Sequence, residues 1–181
     1  FGLYFFKYAY GDEGMYSIFA LILGVSQIAA LVVFPLISRH FERRTLYAFS
    51  TGLVVAGYVI FFFAPLDTML FIGIAGVLLF IGQAFIQLMM LMFLADTVEY
   101  GFWKSGRRND SVTFSIQPFI NKMGGAVASG VVSATVIVSG IKDAQSAEQV
   151  TAGGLLMMKM AMMIFPLLCI LAGFLLYLKK Y

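Results

Sequence analysis

Apolar and polar positions fall in long blocks along this chain. Near-continuous apolar runs cover 15–37, 46–64, 69–95, 112–141 and 150–178, separated by short polar stretches. At 1.5 Å per residue, about 20 residues cross the roughly 30 Å hydrocarbon core of a bilayer. Barrel strands would need apolar and polar side chains in alternation, which these runs lack, so the pattern predicts membrane-spanning helices. The opening FGLYFFKYAY, 1–10, is too short to span and reads as the last turns of a helix that starts upstream. GDEG at 11–14 and APLD at 64–67 read as turns, SRHFERRT as a short basic loop, the polar stretch around 97–110 as a charged loop, and KDAQSAEQ as another loop. The expected fold class is an all-α membrane protein, a single transmembrane bundle with one truncated and five complete spans.

Composition sharpens this. Of 181 residues, 61% are hydrophobic and 12% charged, against about 25% charged in soluble domains. Only a membrane solvent makes that balance sensible. Cys169 is the single cysteine and lies in an apolar run, so neither a disulfide framework nor a thiolate metal site is available. His40 is the single histidine and sits in a basic loop without a carboxylate cluster, so no metal site is expected. Charge placement gives a sidedness. Arg39, Arg43, Arg44, Lys104, Arg107, Arg108, Lys179 and Lys180 fall at one end of the predicted bundle. Lys7 and Lys142 fall at the other, with Asp12, Glu13, Asp67, Asp143 and Glu148. By the positive-inside rule, the basic end and the C-terminus are cytoplasmic. Short basic loops facing an anionic leaflet need no nucleic acid to explain them.

The most polar span carries the candidate chemistry. Ser115, Lys122, Ser129 and Ser133 lie close to one stripe at helical spacing, and Gln117, Asn121 and Gly124 form an adjacent one. Pro118 removes a backbone hydrogen bond and is expected to kink the helix. An ammonium group at membrane depth costs roughly 3 kcal/mol on insertion scales. Lys122 therefore either lines a wet, substrate-facing wall or pairs with a carboxylate on another helix. Gly125, Ser129 and Ser133 repeat at i+4 and read as a path for close helix approach. Gln83 and Gln87 share a face; they bind helices together or line a cavity, with Gln87 the deeper. Gln27 reads as a helix–helix hydrogen bond, and Lys159 as snorkelling or structural. Asp96 and Glu99 close the 69–95 run, at the unfavourable end of its dipole. Lys104, Arg107, Arg108, Arg43 and Arg44 are the candidate compensating cations. Asp110 either caps the next helix or joins these charges in a gate. No nucleophile triad, phosphate-binding glycine loop or metal spacing is present in the sequence, so an enzyme is not expected.

ADTVEYG, KSGRRND and SVTFSIQPFINKMGG, with LYFFKY near the start, resemble the glycoside–pentoside–hexuronide cation symporters, the last motif being closest to lactose and galactoside carriers. The resemblance runs through the whole chain. It implies the major facilitator fold of two six-helix halves, with this chain the C-terminal half beginning late in the seventh helix. It implies a protein of a bacterial cytoplasmic membrane that moves a sugar or glycoside with Na⁺ or H⁺, by alternating access around a midplane site. By the same resemblance, Lys122 lies near the cation and sugar sites, and Gln117 is a sugar-side amide, with Asn121 beside them. Gln87 stands where melibiose carriers have a tryptophan, and Pro118 follows the lactose-type pattern. Asp110 matches an acidic loop residue, and Arg107 replaces a histidine that lactose-type carriers can have there. The main sugar and cation carboxylates belong to the N-terminal half, so that half, the bilayer, the sugar and the coupling cation are the implied partners, and no cofactor is implied. A carrier of another solute (peptide, drug or organic acid), a channel and a non-transporting scaffold are the rival readings.

Overall fold

A computed structural model of the chain describes residues 1–65, 68–106, 110–144 and 149–180. Among the described residues there are helices and turns and no strand. Helix α1 joins an α-helical turn, Gly2–Tyr4, to π-helical turns, Phe5–Tyr10. It stops at Gly11, whose φ of 87° lies in the left-handed region that a side chain would strain. Then come α2 (Met15–Ser38), α3 (Arg43–Phe63), α4 (Met69–Ser105), α5 (Asp110–Val138), a 3₁₀ turn (Ile141–Asp143) and α6 (Ala152–Lys180). Helices α2 to α6 are each long and apolar enough to cross a membrane.

Several boundaries correct the sequence expectation. α3 starts at Arg43, not 46, so both arginines belong to its first turn. α4 does not end at 95: it continues to Ser105, through most of the segment expected to be a loop. The stretch DTVEYGFWKS contains no proline and a single glycine, so nothing breaks the hydrogen-bond ladder where the helix turns polar. The break comes at Gly106, with φ 67° and its N–H donating to the Phe102 carbonyl. α5 begins at Asp110, which is therefore in the first turn and not ahead of it, and ends at Val138, not 141. α6 runs over Ala152–Lys180 where 150–178 was expected. α5 passes through Pro118 as one helix. Leu66 and Asp67 of the APLD turn, residues 145–148 of KDAQSAEQ, and Arg107, Arg108 and Asn109 lie outside the described residues.

α4 is the centre of the packing, with α3 along one side and α2 along the other. Glycines set how close these helices come. A Cβ on Gly57 of α3 would lie 2.7 Å from Leu79 Cγ and 3.0 Å from the Ala75 carbonyl oxygen. One on Gly82 of α4 would lie 2.7 Å from Val54 Cγ2 and 2.8 Å from the Ser50 carbonyl oxygen. In lipid, where the apolar solvent gives helices no hydrophobic push, this backbone-to-backbone approach supplies the dispersion contact. The buried hydroxyls of Ser50 and Thr51 donate to the carbonyls of Leu46 (2.7 Å) and Tyr47 (2.9 Å) in their own helix, so no polar group is left bare at the seam.

Two apolar clusters fix the ends. At one end α1 inserts Phe5 and Phe6 against Phe61 and Phe19, with ring centroids 5.1 and 5.0 Å apart. The Tyr8 hydroxyl donates to the Ala144 carbonyl at 2.9 Å, tying α1 to the α5–α6 connection. Nearer the other end, Ala30, Phe34, Leu46, Ala84, Phe85 and Met89 form a second buried cluster. There Tyr47 of α3 meets Phe93 of α4 (5.7 Å) and Tyr177 of α6 (4.7 Å). That contact gathers Arg39, Arg43, Arg44, Lys104 and Lys179 at one end of the bundle, opposite Lys7, Asp12 and Glu13.

Candidate functional site

The candidate site is the polar arc of α5. Between Ser111 and Gly130 this helix is exposed throughout except at Thr113 and Gln117, which are half-buried. Its buried residues, Thr135 and Val136, lie near its far end, where α6 and the 3₁₀ turn hold it. Lys122 and Asn121 project from the bare stretch, roughly 18 Å along the helix from Asp110 by helical rise. Among the described residues neither they nor Gln117 has a hydrogen-bond or ion-pair partner. Ser115 turns inward on its own helix, donating to the Val112 carbonyl at 2.8 Å.

The expectation that Gly125, Ser129 and Ser133 mark a packed helix contact is not met within this chain. A Cβ on Gly124, Gly125 or Gly130 would meet nothing within 4 Å, and Ser129 and Ser133 are exposed. α2, α3 and α4 pack on one another, and among the described residues no helix covers this face.

Gln83 and Gln87 lie one turn apart on α4, both exposed. No hydrogen bond or ion pair among the described residues joins Gln87 to Lys122, Gln117 or Asn121. Gln27 and Lys159 are half-buried, and among the described residues Gln27 does not make the helix–helix hydrogen bond expected of it.

At the basic end, Asp96 of α4 forms an ion pair with Arg43 of α3. Of the candidate cations among the described residues, Arg43, Arg44 and Lys104, Arg43 is the one that reaches it. Lys104 instead places its ammonium 6.0 Å from the Tyr100 ring centroid, a cation–π distance. Arg107 and Arg108 lie outside the described residues. Glu99 is exposed, and Asp110 is half-buried in the first turn of α5, where the helix dipole favours an anion. The dipole argument for Asp96 and Glu99 falls with the corrected length of α4: both lie more than a turn from Ser105, beyond the reach of the terminal charge. Asp96 is compensated by a local contact, not by the end of its helix.

The sequence reading missed the aromatic platform beside that pair. Tyr47 and Tyr177 pack with Phe93 into one cluster. The signal was available: Tyr47 is four residues after Arg43 and Phe93 three before Asp96, so ring and charge share a face on each helix.

A model of the family described as MFS/sugar transport protein matches residues 2–180. The raffinose carrier protein of Pediococcus pentosaceus is 34% identical over 169 residues, covering 93% of this chain and 26% of that protein. The lactose permease of Lactobacillus delbrueckii subsp. bulgaricus is 30% identical over 178 residues, 98% of this chain and 28% of that protein. The isoprimeverose transporter of Lactiplantibacillus pentosus is 29% identical over 157 residues, 83% of this chain and 32% of that protein. The chain thus spans between a quarter and a third of the length of these curated relatives.

Proposed function

We propose, from the premise that the chain belongs to the MFS/sugar transport protein family, that it is the C-terminal half of a carrier that moves a sugar or glycoside together with Na⁺ or H⁺. The observation that carries this reading is the bare polar arc of α5. A spanning helix that presents Lys122 and Asn121 to hydrocarbon would cost several kcal/mol, with the ammonium alone roughly 3. No described residue of this chain covers that arc, so a second bundle must, and a lysine and amides between two bundles make a wet cleft. Amide and ammonium donors suit hydroxyl-rich solutes. The names of the relatives, carriers of raffinose, lactose and isoprimeverose, point to the same class.

In this mechanism the two halves rock about the cleft, and Lys122, Gln117 and Asn121 form the wall supplied by α5. Gln87 of α4 contributes from the neighbouring wall. Lys122 also repels a coupling cation once the sugar has left, or holds its place while the cation is away. The main cation carboxylates are assigned to the N-terminal half. At the basic end, taken as cytoplasmic, Arg43 and Asp96 belong to one bundle and act as a strut. Contacts that form and break between halves are left to Glu99, Lys104, Arg107, Arg108 and Asp110. The membrane is the cytoplasmic membrane of a bacterium, with the C-terminus inside.

Counterflow tests the reading. The full-length protein in proteoliposomes is loaded with unlabelled raffinose, lactose or an organic acid, and entry of the labelled solute is followed with and without a Na⁺ or pH gradient. Transient accumulation of a labelled sugar is expected, and none of the acid. Accumulation of the acid alone moves the protein to another solute class, and absence of counterflow for every solute leaves a channel or scaffold.

A further inference from the structure

We propose that the apolar cavity at the α2–α3 turn is a binding site for an anionic phospholipid, with an acyl chain in the cavity and the phosphate held by Arg39 and Arg44. The cavity has a volume of about 280 Å³ and is lined by Ile37, Phe41, Thr45, Leu46 and Phe49. Leu46 forms a buried floor, while Phe41 and Phe49 are more than half exposed and stand as open walls. Thr45 is the one polar lining residue, so the space accepts hydrocarbon and offers little to a polar solute.

Charge at the rim selects the headgroup. Arg39 and Arg44 are chain neighbours of the lining residues, both exposed, and neither has an ion-pair partner among the described residues. Arg43 between them is already engaged by Asp96. His40 is tied to the Leu36 carbonyl through Nδ1 at 3.0 Å. Glu42 is exposed and is the one acidic side chain of the turn. Two uncommitted guanidiniums against one carboxylate leave a cationic rim, and a guanidinium meets a phosphate with two parallel hydrogen bonds. The turn lies where two spanning helices meet at the basic end, the depth at which a lipid phosphate sits. An apolar slot below a cationic rim complements the headgroup of an anionic lipid and the upper part of one acyl chain.

Each basic residue strengthens binding to an anionic lipid surface about fivefold, so two give about 25-fold. The test uses the full-length protein, delipidated in detergent and titrated with phosphatidylglycerol or chain-matched phosphatidylcholine under native mass spectrometry. Phosphatidylglycerol is expected to bind its tightest site about 25-fold more strongly than phosphatidylcholine. In Arg39→Gln/Arg44→Gln that preference should fall to about one, while Arg44→Lys keeps part of it. Thr45→Trp, at an exposed position, fills the slot with the arginines in place and should weaken phosphatidylglycerol binding severalfold. Equal binding of the two lipids, or an unchanged preference in the double variant, overturns the site. Full competition by glycerol 3-phosphate at equal concentration also overturns it, because the rim would then bind a free anion without a chain. Binding is measured without sugar, so the result is independent of the transport reading.

Discussion

The seam between α3 and α4 and the outer face of α5 use the same residue for opposite ends. Both are rich in glycine. At the seam, Gly57 and Gly82 are pressed so closely that a methyl group would strike a neighbouring backbone. On α5, Gly124, Gly125 and Gly130 look onto open space. Composition alone gives the two helices the same label, as paths for helix contact. The difference lies in the company the glycines keep. At the seam they sit among Val54, Leu79 and Ala75, side chains content in hydrocarbon. On α5 they sit among Gln117, Asn121 and Lys122, which are not. A small residue in apolar surroundings is finished packing, and a small residue beside uncovered polar groups is a surface awaiting a partner.

The largest effect expected from this contrast is at Gly82. Gly82→Leu places a branched side chain where even a Cβ lies 2.8 Å from the Ser50 carbonyl oxygen. The backbone can yield only by parting α3 from α4, so overpacking should cost about 3 kcal/mol or more. Little folded full-length protein should be recovered, and what remains should unfold at clearly lower temperature in detergent. A thermal midpoint equal to that of the parent protein would dissolve the contrast at its packed end.

Next comes Lys122→Leu in the full-length protein. Leucine at this depth relieves the insertion cost, so expression and thermal midpoint should hold or rise. Sugar accumulation should fall at least tenfold, because the cleft loses its one ammonium on this wall. If accumulation of every sugar persisted, α5 would face something other than a solute path. Gly125→Leu probes the same face with a smaller change. No described residue lies within 4 Å of the new Cβ, so stability should stay within about 1 kcal/mol. Uptake should drop severalfold as the side chain narrows the cleft. Unchanged uptake would mean that no partner bundle comes near that face.

The helices were legible in the sequence because the cost of unpaired backbone in lipid leaves long apolar runs no other form. The end of α4 was not. Polarity marks where an apolar run stops, and a helix is free to continue past that point, as this one does through Glu99 and Tyr100 to Ser105. Lys122, Gln117 and Asn121 were legible as a polar arc, since helical spacing fixes which residues share a face. That this chain leaves the arc bare was not legible, because coverage depends on the three-dimensional order of helices. For Asp96 the need for a cation was readable, and its identity was not. Several cations lay near in sequence order, and the antiparallel register of α3 on α4 brings Arg43 to it.

The smallest effect belongs to that pair, and it bears on how far the covered region extends. Within this chain the Arg43 side chain is 48% exposed and that of Asp96 28%. An ion pair so open to solvent is screened, and exposed pairs couple by roughly 0.2–1 kcal/mol. A double-mutant cycle of Arg43→Gln and Asp96→Asn on thermal stability of the full-length protein should therefore give a coupling below about 1 kcal/mol, shrinking in 1 M salt as screening shortens to about 3 Å. The helix dipole gives no help here, since α4 runs on past Asp96. A coupling of 3 kcal/mol or more, insensitive to salt, would require the pair to be desolvated. The partner bundle would then reach over the basic end of α3 and α4 as well as the face of α5, and the line between finished and unfinished surface would have to be redrawn there.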